Sequence, residues 1–197
     1  MVLLTRIYTK GGDKGKTSLG SKARVLKSSQ IIQAIGDVDE GNAIIGLARL
    51  HATEEIDTIL ARIQNDLFDV GADLCIPDAE KSEASLRISA PYVTALENDL
   101  DGFNAALPPL TSFVLPAGTP LAATLHHART VIRRAERSVC ALESVNPEII
   151  CYLNRLSDLL FVLARYANHQ AEGDVLWRPG NRSQGTGVGK VILAPDS

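Results

Sequence analysis

Cysteine is scarce in this chain. Three in 197 residues, Cys75, Cys140 and Cys151, form an odd set without a C-x-x-C pair. That excludes a zinc ribbon and a disulfide framework. Each falls within an apolar helical pattern and is expected as a small core residue. Such usage fits a reducing cytoplasm. Aromatic residues make up 5%, too few for a platform that stacks single-stranded nucleic acid. Positive charge is not in excess: the net charge is -3, which argues against a general nucleic-acid binder. Long apolar runs are also missing. The longest near the C-terminal end, residues 159–164, is far too short to span a bilayer. The opening MVLLTRIYTK turns polar too soon for a signal peptide. The four histidines, His51, His126, His127 and His169, form no Glu-x-x-His pair, so a di-iron bundle is excluded. His126 and His127 are adjacent and point in different directions on a helix, so they share no metal.

The rest is ordinary globular composition, 45% hydrophobic and 22% charged, in one domain with a sizeable core. Apolar spacing predicts a helix from Ile31 through Ile35, Val38, Ile45 and Leu50, with Asp37, Asp39 and Glu40 crowding its middle. A strongly amphipathic helix spans residues 54–74 and is broken by Pro77-Asp78. A third starts near Ser89 and is stopped by Pro108-Pro109. Residues 112–118 are too short for a helix and serve as a connector. Thr119-Pro120 is an N-cap followed by proline at the first helical position, and Asn146-Pro147 repeats the device for a last helix over residues 147–171. Five helical segments, short loops and no convincing sheet predict an all-α, antiparallel five-helix bundle. Residues 1–29 form an N-terminal segment, 30–172 the bundle and 173–197 a glycine-rich, flexible tail.

Two stretches favour anions. In TLHHARTVIRRAERSVCALE, Arg129, Arg133 and Arg137 recur at i, i+4, i+8 with Glu136 on the same side. Like charges at that spacing repel, so an anionic partner belongs over them, and guanidinium forks suit carboxylate or phosphate. A solvated basic face is the plainer alternative. The second stretch is Thr9-Lys10-Gly11-Gly12-Asp13-Lys14-Gly15-Lys16-Thr17-Ser18. Its glycines permit tight turns whose N–H groups cradle an anion. Gly15-Lys16-Thr17 has the look of the end of a Walker A loop, but the first glycine of that motif would fall at Lys10. On the last helix Asn154, Asp158, Phe161 and Arg165 share a stripe. That stripe suits either a lined pocket or an Asp158–Arg165 surface network.

Taken together, TKGGDKGKTSL at 9–19, RVLK at 24–27, GDVDEGN at 36–42, QNDLFDVGADL at 64–74, FVLPAG at 113–118, RTVIRRAERSV at 129–139 and NRLSDLLFVLAR at 154–165 resemble the PduO-type ATP:cob(I)alamin adenosyltransferases. The resemblance implies a homotrimer of five-helix bundles that binds ATP between subunits. It implies transfer of the 5′-deoxyadenosyl group of ATP to the cobalt of cobalamin, with Mg²⁺ on the phosphates. Thr9, Lys10, Gly11, Gly12, Asp13, Gly15, Thr17, Ser18 and Lys27 would wrap the triphosphate. Arg133, Arg134, Glu136, Arg137 and Asn154 of a neighbouring subunit would hold the nucleotide, with Glu136 a candidate Mg²⁺ ligand. Arg129 would pair with Asp39 across the interface. Phe113 would crowd the lower face of the corrin and Phe161 line the same cavity. A cobalamin reductase and an adenosylcobalamin-dependent enzyme would be partners in the cytoplasm, with neither membrane nor nucleic acid. Gly11 makes the loop looser than the family's usual Thr-Lys-x-Gly-Asp, Gly41 replaces an apolar residue, and Ala117 stands where a second glycine is common. A non-catalytic ATP-binding cobalamin carrier, or another nucleotide-dependent transferase, remains the alternative.

Overall fold

The computed structural model describes Tyr8, residues 10–20, 22–76, 81–82 and 85–180. Thr9, Pro77-Asp78 and the tail from residue 181 onward lie outside the described residues.

Five helices carry the fold: α1 (Gln30–Arg49), α2 (Glu54–Leu74), α3 (Ala90–Asn104), α4 (Pro120–Cys140) and α5 (Pro147–His169). α4 and α5 begin as their sequence dictates. The Thr119 hydroxyl accepts from the Ala122 N–H and the Asn146 side chain from the Glu148 N–H, each followed by proline in the first turn. Close packing joins α2 to α1, α1 to α4, α4 to α5 and α5 to α3, so α4 is central. Its apolar face, Leu125, Ile132 and Val139 among others, is fully buried, as are Leu60, Ile63, Leu96, Leu153, Leu156 and Leu160. Gly41 of α1 lies where an added Cβ would come 2.6 Å from Ile132 Cδ1. The glycine therefore lets α1 approach α4 closely, at some loss of helix propensity.

Two features depart from the expected all-α chain. Strands β1 (Lys16–Ser18) and β2 (Arg24–Leu26) form an antiparallel hairpin with Thr17 opposite Val25. Three-residue strands carry too little periodicity to register in a sequence pattern. Second, the connector is not a free loop. Val114 forms a bridge with Leu176, the Leu115 N–H donates to Val175 O at 2.8 Å, and the Trp177 N–H donates to Phe113 O at 2.8 Å.

The cysteines are also corrected. Cys140 and Cys151 are exposed in the single chain and Cys75 is half-buried. Cys140 and Cys151 stand on outward-facing positions of α4 and α5, and Cys75 caps the C-terminal end of α2. No helix among the described residues is long and apolar enough to cross a membrane.

Candidate functional site

Residues 10–15 form a turn. The Asp13 N–H donates to Lys10 O and the Gly15 N–H to Gly12 O. Lys10 (φ 58) and Gly15 (φ 73) adopt the left-handed conformation that turns the chain. The Lys27 N–H donates to Gly15 O, so the hairpin closes the turn. The Arg24 guanidinium donates to Gly11 O at 2.7 Å and reaches Ser18 Oγ at 3.4 Å. Lys27 Nζ lies where a Cβ on Gly12 would approach to 3.1 Å. Lys10, Gly11, Gly12, Asp13, Gly15, Thr17, Ser18 and Lys27 are thus gathered on one small scaffold. Arg24 braces it, a residue whose role was not read from the sequence although it stands in the quoted RVLK.

The arginine helix behaves as its spacing requires. Arg129 is half-buried and Arg133 exposed. Both border a cleft of about 350 Å³ lined also by Phe161, Asp158, Arg155 and Leu100. Burial, then the neighbouring Arg133 charge, pull the Arg129 pKa down, the mark of cations crowded without a counter-charge. Arg137 donates to Arg133 O one turn back. Glu136 Oε1 accepts from Asn154 Nδ2 at 3.0 Å, which fixes a carboxylate of α4 to an amide of α5 beside the row.

Other expected residues lie elsewhere. Arg134 faces α1: it pairs with Glu40 and stands 3.5 Å from Asp37 Oδ1, so its charge is met within the chain. Asp37 also accepts from Ser138 Oγ at 2.5 Å and Gln33 Nε2 at 2.8 Å. Asp39 is exposed, and no hydrogen bond or ion pair joins it to Arg129 among the described residues. Arg165 leaves the pocket stripe. It is buried, binds Asp174 Oδ2 at 2.9 Å and donates to Pro108 O, while Asp158 takes Arg155 at 3.2 Å. The Asp158–Arg165 network therefore does not form.

Phe113, 60% exposed, meets Trp177 edge to face, with ring centroids 5.9 Å apart. With Leu115, Val175 and Leu176 also exposed, the paired segments present an apolar platform at the surface. Trp177, the chain's sole tryptophan, was not read as part of any site. No ring contact joins Phe113 to Phe161 among the described residues.

The turn and the arginine row do not meet in one chain. Leu19, at the end of the hairpin, borders a separate cavity with Leu142, Asn146 and Ile149. No hydrogen bond or ion pair among the described residues links residues 10–18 to Arg133, Arg137 or Asn154. No cluster of three or more His, Cys, Asp or Glu side chains suited to a metal ion occurs among the described residues.

Comparison with known proteins gives one answer. Residues 7–167 match the family described as Cobalamin adenosyltransferase. A corrinoid adenosyltransferase of Mycobacterium bovis is 53% identical over 187 residues, covering 91% of this chain and 96% of its own length. The human corrinoid adenosyltransferase is 41% identical over 173 residues, with coverage of 83% and 69%. Among solved structures, a variant of the PduO-type ATP:corrinoid adenosyltransferase from Lactobacillus reuteri complexed with cobalamin and ATP superposes with a TM-score of 0.82 at 37% identity, covering 88% of this chain and 97% of that one. With a family match over most of its helices, relatives at this identity and a solved fold of the same shape, the chain belongs to the cobalamin adenosyltransferase family.

Proposed function

We propose that this protein transfers the 5′-deoxyadenosyl group of ATP to the cobalt of cob(I)alamin and releases triphosphate, at a site shared by two subunits of a homotrimer. The observation that carries the proposal is the Arg129–Arg133 pair beside Phe161 at one cleft. It places cationic forks next to an aromatic wall, in a chain of this family.

The chemistry asks little acid–base work of the side chains. Cobalt supplies the electron pair. The Co–C5′ bond forms, the C5′–O bond breaks, and its pair leaves on the triphosphate. The protein supplies orientation and charge stabilisation. Arg133 and Arg137 offer guanidinium donors to the leaving phosphates, opposite the turn carrying Lys10, Gly12, Asp13, Thr17, Ser18 and Lys27 on a second subunit. Arg129 bridges to Asp39 of that subunit and so ties the two halves together. Mg²⁺, when bound, neutralises phosphate charge. With no three-ligand cluster among the described residues, the phosphates would hold it chiefly, and Glu136, oriented by Asn154, would add a carboxylate. Arg134 belongs to this site only indirectly, through the helix pair it latches.

Phe113, backed by Trp177, presents an apolar edge that excludes a lower axial ligand. Losing that ligand makes Co(II) easier to reduce before transfer. Phe113→Ala should let a fifth ligand return, seen in the Co(II) spectrum of the ATP-bound protein. The protein works in the cytoplasm as one functional unit, receiving electrons through a cobalamin reductase and supplying an adenosylcobalamin-dependent enzyme. The test is incubation with ATP, Mg²⁺ and chemically reduced cobalamin. Adenosyl–cobalt absorbance with triphosphate as co-product supports the reading. ADP as product, or binding without turnover, overturns it.

A further inference from the structure

Around the Arg129–Phe161 wall, three residues carry buried polar atoms with no hydrogen-bond partner among the described residues. His126 is 1% exposed, and neither ring nitrogen has a partner. Arg129 Nε and Asp174 Oδ1 are likewise buried without one. Arg129 follows His126 by three positions on α4, and Asp174 is held by Arg165, one turn along α5 from the Phe161 that meets the His126 ring. After burial itself, Arg129 and then Asp174 are the strongest influences on the His126 charge. The His126 ring also lies against Phe161, with centroids 6.1 Å apart and planes at 58°. Buried polar groups without partners are unfavourable. A phenylalanine at 126 would fill the same space against Phe161 without that cost, so core packing alone does not account for an imidazole there.

The unused capacities complement one another. Neutral imidazole carries one donor and one acceptor. Arg129 Nε–H is a donor and Asp174 Oδ1 an acceptor. The other oxygen of Asp174 is taken by Arg165 at 2.9 Å, and the segment that follows Asp174 is the one paired with residues 113–115. We propose that His126 is a positioning residue: Arg129 Nε–H donates to one ring nitrogen, and the other donates to Asp174, when the site takes up its substrates. This relay would fix the Arg129 guanidinium by Nε and leave its two terminal nitrogens free for a carboxylate. It would also tie that arginine to the strand segment behind Phe113. Burial and the adjacent arginine both favour the neutral ring the relay requires. His126 touches no substrate and acts through Arg129, Phe161 and Asp174. The inference rests on the adenosyl-transfer reading of the site.

His126→Phe keeps a planar aromatic ring, slightly larger than imidazole, and removes both nitrogens; His126→Gln restores a donor and an acceptor. Melting temperature, kcat, and KM for ATP and for cobalamin are measured separately on the full-length protein. We expect His126→Phe to melt like the parent and to lose tenfold or more in kcat. His126→Gln should recover to within about threefold of the parent. Asp174→Asn should show a comparable loss on its own, and no further loss when combined with His126→Phe. If His126→Phe does not fold, Asp174→Asn alone carries the test, and parental kcat there overturns the relay. Parental kinetics in a folded His126→Phe also overturn it, as does a His126→Gln variant that melts normally yet stays as slow as the phenylalanine. Failure of the unsubstituted protein to adenosylate cobalamin would instead sink the reading beneath it.

Discussion

Gly118 sits at φ 109, and a Cβ there would fall 2.0 Å from Asn168 Oδ1. That oxygen accepts the Thr119 N–H at 3.0 Å, and the Asn168 amide donates to Ala117 O at 3.0 Å. One buried asparagine thus holds the connector against the start of α4. Gly118→Ala combines strained backbone with loss of these bonds, about 3 kcal/mol together. A melting temperature lower by roughly 6–12 °C is expected for a chain of this size. Asp73 is a second such hub. Burial pushes its pKa up, but bonds from Lys81, Asn146 and the Ile88 N–H together outweigh burial and hold it below the usual carboxylate range. A depressed folded pKa means the stabilisation is present above the ordinary carboxylate pKa of about 4 and is lost as pH falls through the lower folded value. Asp73→Asn should therefore cost about 2 kcal/mol at pH 7, with the gap from the parent closing in acid. Urea unfolding across pH would measure it. Such residues show how far the sequence could be read. Arg129 and Arg133 announce themselves through like charge at helical spacing. His126, Asp174 and Asn168 do not, because their meaning lies in partners on other elements, such as Phe161 for His126 and Thr119 for Asn168, or on loops without periodicity. Cys140 and Cys151 were misread because an apolar neighbourhood in sequence is not an inward-facing position on the helix.

At the scale of elements, the pairing of α1 with α4 sets where the arginine row points. Gly41 allows the close approach, and Asp37 locks it, accepting from Ser138 and Gln33 with the Arg134 guanidinium 3.5 Å away, while almost fully buried. Asp37→Ala leaves the Ser138 and Gln33 donors unsatisfied and Arg134 without one of its two counter-charges. A loss of about 2–3 kcal/mol in denaturant unfolding is expected, along with weaker ATP binding, because α4 carries Arg133 and Arg137. An unchanged midpoint would show that the latch adds nothing. All five helices were legible. Amphipathic spacing, the two proline-led starts and the Pro108-Pro109 stop fixed their number and order. Ends were less exact: α3 finishes at Asn104 and α5 at His169, as fraying and capping compete in the last turn. The β1–β2 hairpin and the pairing of residues 113–115 with 175–177 were not legible. The first is too short to show alternation. The second is joined by backbone bonds across more than fifty residues, which side-chain patterns do not encode.

For the whole molecule, the proposed site requires two copies: Leu19, just beyond the turn, borders one cavity of the chain, and Arg129 and Arg133 another. This arrangement predicts complementation. Lys27→Ala should disable the turn and Arg133→Ala the arginine row, each leaving the proposed homotrimer nearly inactive. Co-refolded in equal amounts, the two variants assort at random. A site built from the turn of one subunit and the row of the next is intact only when an Arg133→Ala chain supplies the turn and a Lys27→Ala chain the row. In a cyclic trimer that ordered pairing arises at about one quarter of interfaces. Activity should thus rise to about a quarter of the parent's per subunit after mixing, and fall away if the trimers are cross-linked before they are mixed. If both halves instead served a site within one chain, every chain would carry one defect and mixing would restore nothing. The same mixed sample tests the tie between subunits. Adding Asp39→Ala to the Arg133→Ala chain removes the proposed partner of Arg129 at the one intact interface, so the regained activity should be lost, the remaining interfaces being inactive with or without it.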